Sequence, residues 1–232
     1  MEIQTRKDLI KKIEELRNSE IKEKVDRRMK EFEQLHKKSN KEWFEELCFC
    51  ILTANSSAEL GIEIQNYMKR KDRFINLTKD QITKVLKQKG YRFYNRRAEY
   101  IVLAREYKDN IKEKIKTKEN QFTARKWVKE NVKGIGFKEG SHFLRNVGYK
   151  EIGILDRHIL RIMEKSNIIE IPKTLTKKRY LNIEKDFIKL AEEVNLKPGE
   201  LDLYLWYTQT GKILKWTINQ NQKLKNLRKN LL

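Results

Sequence analysis

Apolar positions recur along this chain at intervals of three and four. Ile21, Val25, Met29, Phe32 and Leu35 are spaced by four, four, three and three, which puts them on one face of a helix. Trp43, Phe44, Leu47, Cys48 and Ile51 continue the pattern around "LCFCILTAN", a segment with few charges that should be buried. Thr78 followed by Gln81 has the form of a capping box, and Gly90 serves as a C-terminal stop. Tyr100, Ala104, Tyr107, Ile111 and Ile115 mark a further long helix, and "TKKRYLNIEKDFIKLAEEV" and "LDLYLWYTQTGK" supply two more. No stretch alternates with period two, and the best strand candidate, "IGIL" at 152–155, is too short to matter. Both prolines, Pro172 and Pro198, fall late, so nothing of that kind breaks a helix before them. The spacing predicts an all-α protein of roughly ten helices, with no repeat and no flexible linker. The last residues, "NQNQKLKNLRKNLL", read as a frayed helix or a loose tail.

Charge narrows the partners. Lys and Arg number 53 against 33 Asp and Glu, a formal net charge of +20. A field of that size favours polyanions, nucleic acid before an anionic membrane surface. A Lys/Glu-rich surface of a heat-loving source would give a similar composition. Cys48 and Cys50 form a C-x-C that points to opposite faces of a helix, so both read as small core residues. Neither they nor His36, His142 and His158 have metal-ligand spacing, and two cysteines cannot hold a four-cysteine cluster. With no apolar signal core and no run of about 18 apolar residues, the chain is expected to be soluble and cytoplasmic.

One short stretch carries candidate chemistry. In "VKGIGFKEG", residues 132–140, Gly134, Ile135 and Gly136 lie between two helical segments, "FTARKWVKEN" and "FKEGSHFLRNVG". Glycines allow a tight reversal and leave backbone amides bare at the start of the second helix, where the dipole favours a phosphate. Ile135 can pin the corner to the core. The same pattern also fits an ordinary corner between helices. Lys138 falls in the first turn of the second helix, where a cation opposes the dipole; a neutral amine there is a nucleophile, and a surface lysine on a phosphate is the plainer alternative. Asp156 opens the helix of "ILDRHILRIM", 18 residues after Lys138. Most aspartates in that position are N-caps. One helix and one loop between the two let the chain return, so the side chains can meet across a cleft.

These residues resemble a known family. The stretch "VKGIGFKEGSHFLRNVGY…ILDRHIL" is similar to the helix–hairpin–helix DNA glycosylases, and more narrowly to the type-2 archaeal and bacterial 8-oxoguanine DNA glycosylases. "FCILTANSSAELGIEIQ", "GYRFYNRRAEYIV", "IPKTLTKKRYL" and "LDLYLWYTQTGKILK" resemble the same subfamily. The resemblance implies a two-lobed helical enzyme, with residues 36–146 as one lobe and 1–35 plus 147–232 as the other. It implies that Lys138 attacks the sugar C1′, that a Schiff base forms and that β-elimination cuts the strand. Asp156 would stabilise positive charge on the sugar. No metal and no organic cofactor is implied. The partner would be double-stranded DNA holding a damaged base, met by a monomer in a prokaryotic cytoplasm near the nucleoid.

The chemistry calls for these residue types. Glycosidic cleavage develops oxocarbenium character, which a carboxylate stabilises. Only an amine gives an imine at C1′. The base must first leave the stack. 8-Oxoguanine carries a hydrogen on N7 where guanine has only an acceptor. A protein acceptor there is left unpaired by guanine, at about 1–3 kcal/mol. The resemblance points to Phe93 and Trp206 as the rings of a base sandwich; core packing is the alternative for each. Arg92, Arg96 and Arg97 flank Phe93 and could pair with phosphates or form a solvated face. Subfamily chains often end at the lysine matching Lys215, whose terminal carboxylate helps recognise the lesion; here 17 residues follow, so the Lys215 side chain serves or the tail adds contacts. Two other readings stay open: a glycosylase of the same fold for another oxidised base, and a non-catalytic DNA-binding protein.

Overall fold

The computed structural model describes residues 3–214; Lys215 and the basic tail lie outside the described residues. Thirteen α-helices occur among them. They are α1 (Arg6–Arg17), α2 (Glu20–Lys37), α3 (Asn40–Thr53), α4 (Ala58–Lys69), α5 (Arg73–Asn76), α6 (Lys79–Gln88) and α7 (Tyr94–Ala104). α8 (Ile111–Lys116), α9 (Gln121–Asn131), α10 (Phe137–Asn146), α11 (Arg157–Lys165), α12 (Lys177–Glu193) and α13 (Pro198–Thr210) follow. No strand is present among the described residues, and "IGIL" is irregular chain.

Local signals set the helix ends. Thr78 and Gln81 form the expected capping box, and Gly90, at φ +71°, follows the end of α6. Ser39 with Glu42 and Thr5 with Asp8 make two further capping boxes. The single long helix expected across residues 100–115 is broken. α7 stops at Ala104, a 3₁₀ turn spans Arg105–Tyr107, and α8 begins at Ile111. The apolar face runs on through the break, so spacing alone could not reveal it. Arg105 at the break donates from Nε to the carbonyl of Phe74 at 2.9 Å and from Nη2 to that of Leu77, which turns its side chain into the α5 corner.

The apolar residues gather into two clusters. The first runs from Trp43 to Ile152 and centres on α3, whose residues Trp43 to Thr53 are all buried. Burying each large side chain there contributes about 1.5–3 kcal/mol relative to exposing it. Cys48 and Cys50 both lie inside this cluster, and burial pushes the Cys48 thiol well up. Two glutamates are buried on α3 as well. Glu46 accepts from Gln65 Nε2 at 3.1 Å and from Asn146, and Glu45 pairs with Lys69 at 3.2 Å, so neither charge is stranded. The second cluster takes Leu9 to Phe32 from α1 and α2, then Leu155 to Leu205 from α11, α12 and α13.

Two buried ion pairs cross between the clusters. Arg125 on α9 makes a two-pronged pair with Glu184 on α12, the second prong at 2.7 Å, and also donates to Ser141 on α10 at 3.0 Å. Arg145 near the end of α10 pairs with Asp202 on α13. Both pairs therefore start from the two helices around the glycine corner.

Candidate active site

The corner between α9 and α10 is built as the glycines suggest. Gly134 has φ +84°, in the region that L side chains rarely adopt. A Cβ on it would also stand 2.3 Å from the Tyr100 ring. Ile135 is buried in the first cluster, and its amide donates to the Val132 carbonyl at 3.3 Å, so its role in the corner is an anchor. Gly136 is the N-cap of α10 and supplies no side chain to the helix start. The amides of the first turn are thus left without a side-chain cap.

Lys138 stands in that first turn, with its side chain about one-third exposed at 32%. Its Nζ lies 2.9 Å from Glu139 Oε1. Glu139 Oε2 bends back over the corner, 3.3 Å from where a Gly136 Cβ would sit. Sequence reasoning passed over Glu139. The available signal was an acidic residue three positions after the cap, where a carboxylate reaches back toward free amides.

Asp156 is the N-cap of α11. Its Oδ1 accepts from the amides of His158 at 2.8 Å and Ile159 at 3.0 Å. Oδ2 takes neither bond. The N-cap expectation is met through Oδ1, which leaves Oδ2 outside the cap.

Lys138 and Asp156 line one cleft of about 1080 Å³ between the clusters. Phe49, Thr53 and His142 also line it, as do Asp202 and Trp206. The Trp206 ring is partly packed into the second cluster and meets the His158 ring edge-on at 6.3 Å. This one side chain both packs on the second cluster and lines the cleft.

The expected sandwich is not assembled in this structure. Phe93 precedes α7, half-buried against the first cluster, with the Arg92 guanidinium 5.0 Å from its ring centre; it is not among the residues lining the cleft. Of the three arginines around it, Arg92 and Arg96 are exposed, but Arg97 is buried. Arg97 donates to the Ala54 carbonyl at 2.9 Å and so braces α7 against the end of α3, which removes it from the solvated face.

A second carboxylate in the cleft was also missed. Asp202 accepts from Arg145 on Oδ1 and from the amide of Ile154 on Oδ2, at 2.9 Å. Burial pushes its carboxyl up to about 6, while Arg145 pulls the other way. Its partners lie 57 and 48 positions away, beyond any local pattern. Among the described residues no group of His, Cys, Asp and Glu is arranged to hold a metal ion, and no helix is long and apolar enough to cross a membrane.

Comparison with known proteins places the chain in a family. Residues 25–196 match the family model for 8-oxoguanine DNA glycosylase with a helix–hairpin–helix. An 8-oxoguanine DNA glycosylase/AP lyase of Methanocaldococcus jannaschii is 57% identical over 208 residues, covering 89% of this chain and 99% of that protein. The crystal structure of the glycosylase/lyase from that organism, in complex with a 15mer DNA containing 8-oxoguanine, superposes with a TM-score of 0.85 at 56% identity, over 89% of this chain and 99% of that one. The 8-oxoguanine DNA glycosylase of Thermotoga maritima superposes with a TM-score of 0.84 at 41% identity, over 90% of this chain and all of that one (100%). The match to the family model takes in the glycine corner, Lys138 and Asp156 together, and the chain belongs to the 8-oxoguanine DNA glycosylase family.

Proposed function

We propose that this protein excises 8-oxoguanine from DNA and then cuts the strand at the resulting abasic site. The observation that carries the reading is the shared cleft of about 1080 Å³ that Lys138 and Asp156 both line, a space large enough for a flipped nucleotide. The Lys138 amine attacks C1′ as the C1′–N9 bond breaks, and the base leaves with that electron pair and takes up a proton. The attached nitrogen gives up a proton and the sugar ring opens, which yields an imine between Nζ and C1′. The imine acidifies C2′; loss of a C2′ proton expels the 3′ phosphate and breaks the strand. Asp156 keeps its carboxylate toward the positive charge that develops on the sugar.

Binding follows from the same frame. The uncapped amides around Gly134 and Gly136 hold a backbone phosphate without reading sequence, with Ile135 as the anchor beneath them. Trp206 stacks on the extruded base, and Phe93 joins it only by moving toward the cleft. Lys215 would add to lesion recognition from beyond the described residues. The described parts of the lobes 36–146 and 1–35 plus 147–232 enclose the damaged nucleotide. The protein acts as a monomer at the prokaryotic chromosome, to which its +20 charge attracts it.

Borohydride trapping on a duplex with one 8-oxoguanine tests the reading. Wild-type protein gives a covalent adduct, and Lys138→Gln gives none while still binding the duplex. An undiminished adduct in Lys138→Gln would remove that residue from the role.

A further inference from the structure

Lys138 and Asp156 belong to different elements, so something must set the distance between them. The segment from residue 150 to 156 has no regular structure, yet it delivers Asp156 to the cleft. It is held at three points. The amide of Gly199, in the first turn of α13, donates to the Lys150 carbonyl at 2.8 Å. Gly153 lies so close to the Phe187 ring that a Cβ there would stand 2.4 Å from it. The amide of Ile154, two residues before Asp156, donates to Asp202 Oδ2 at 2.9 Å.

The other oxygen of Asp202 takes Arg145. Arg145 lies seven residues after Lys138, two turns along the same helix, and so moves with it. One carboxylate, 2% exposed, therefore joins the helix of the lysine to the segment of the aspartate. Burying such a charge is unfavourable, and an apolar pair of similar volume commonly does as well for stability. The gain from keeping the charge is then sought in geometry. A fixed carboxylate with one bond to each side sets a register that apolar contact would leave loose.

We propose that Asp202 is a positioning residue for base excision: through Arg145 and the Ile154 amide it holds the Lys138 helix and the Asp156 segment in one register. This role rests on the function proposed above. It differs from a general support role in a measurable way. Base release needs Asp156 in place as charge develops on the sugar. Imine formation at an abasic site that already exists needs mainly Lys138.

Two double variants separate the possibilities, because both remove the guanidinium that would otherwise be stranded. Arg145→Met with Asp202→Asn keeps an oxygen for the Ile154 amide; Arg145→Met with Asp202→Leu does not. Each is assayed in single turnover for 8-oxoguanine release and, separately, for cleavage of a duplex with a preformed abasic site. The leucine form is expected to lose about a hundredfold in base release, the scale of a misplacement near 1 Å, with abasic-site cleavage within about threefold of wild type. The asparagine form is expected to recover at least about tenfold of that loss. Arg125→Met with Glu184→Leu removes the other buried pair, which touches no part of the Asp156 segment, and should change both activities by the same factor. Equal base release in the two Asp202 forms, or parallel loss of both activities, would overturn the proposal. If the leucine form does not fold, Arg145→Met with Asp202→Ala, which also leaves the Ile154 amide without its acceptor, carries the test, and an unchanged ratio of the two activities in it overturns the proposal. Wild-type protein that acts on neither duplex overturns the proposed function, and this role with it.

Discussion

Replacing Gly134 by alanine should damage this protein far more than replacing a glycine of nearly the same backbone conformation elsewhere. Gly134 has φ +84° and Gly90 has φ +71°, so both residues sit where an L side chain is disfavoured by roughly 1–2 kcal/mol. Around Gly90 nothing lies within 4 Å of an added Cβ, and Gly90→Ala meets only that backbone term. At Gly134 the added Cβ would stand 2.3 Å from Tyr100 Cδ2 and 2.9 Å from Arg97 Nη1. Neither neighbour can yield freely. The Arg97 guanidinium lies over the Tyr100 ring, 5.6 Å from its centre, and is tied to the Ala54 carbonyl. Overpacking of this kind adds about 1–3 kcal/mol. The sum for Gly134→Ala is then about 2–5 kcal/mol, a large share of a stability that for most proteins is about 5–15 kcal/mol. For a chain of this size about 1 kcal/mol moves Tm by roughly 2–4 °C. Thermal unfolding should therefore show Gly134→Ala lower by about 4–20 °C, and Gly90→Ala lower by about 2–8 °C. The two variants melting together would refute the argument, because it would mean that the Tyr100 and Arg97 contacts exert no constraint on the corner.

Three further outcomes follow from buried charges and the cleft. Glu184→Gln strands the Arg125 guanidinium, which is 1% exposed, and should destabilise by about 3–5 kcal/mol in urea unfolding; a loss under 1 kcal/mol would show that the pair is solvated. Asp202, which faces Arg145, the Ile154 amide and the charge of Asp156, keeps its proton in the folded state up to about 6, against an unfolded value of 3.8. Its contribution to stability is thus fully present below about pH 4 and is lost as pH rises through about 6, so the stability of wild type minus that of Asp202→Asn should fall by up to about 3 kcal/mol across that window. A difference that rises with pH there would reverse the assignment. Asp156→Asn should keep the α11 cap and lesion binding but slow 8-oxoguanine release by at least about a hundredfold, and normal single-turnover release would rule out its role on the sugar.

The sequence was most legible where the controlling forces are local. Helix faces follow from spacing, and the Thr78–Gln81 box and the Gly90 stop involve neighbours three to four positions apart or a single backbone angle. The glycine corner with Lys138, and the Asp156 cap, are local in the same sense. The bend after Ala104 was hidden because the apolar face is continuous through it. Phe93 shows a different limit. Its aromatic character was plain, but which surface the ring reaches depends on how α7 packs, and it packs on the first cluster. Arg97 reads on paper like its exposed neighbour Arg96, until the end of α3 comes to lie against it. The buried pairs were invisible for the same reason, since Arg125 and Glu184 are 59 positions apart and nothing in either helix marks the other as its partner.

Both ionic links between the clusters leave from the two helices that flank the glycine corner, and they end on the two helices behind the cleft. The glycine corner and the wall that carries Trp206 are in this way braced like two ends of one truss. Redesigning the pocket for another lesion would accordingly begin with α13 as a whole, since shifting Trp206 alone would pull on Asp202 one turn earlier and, through it, on the register of the reacting pair.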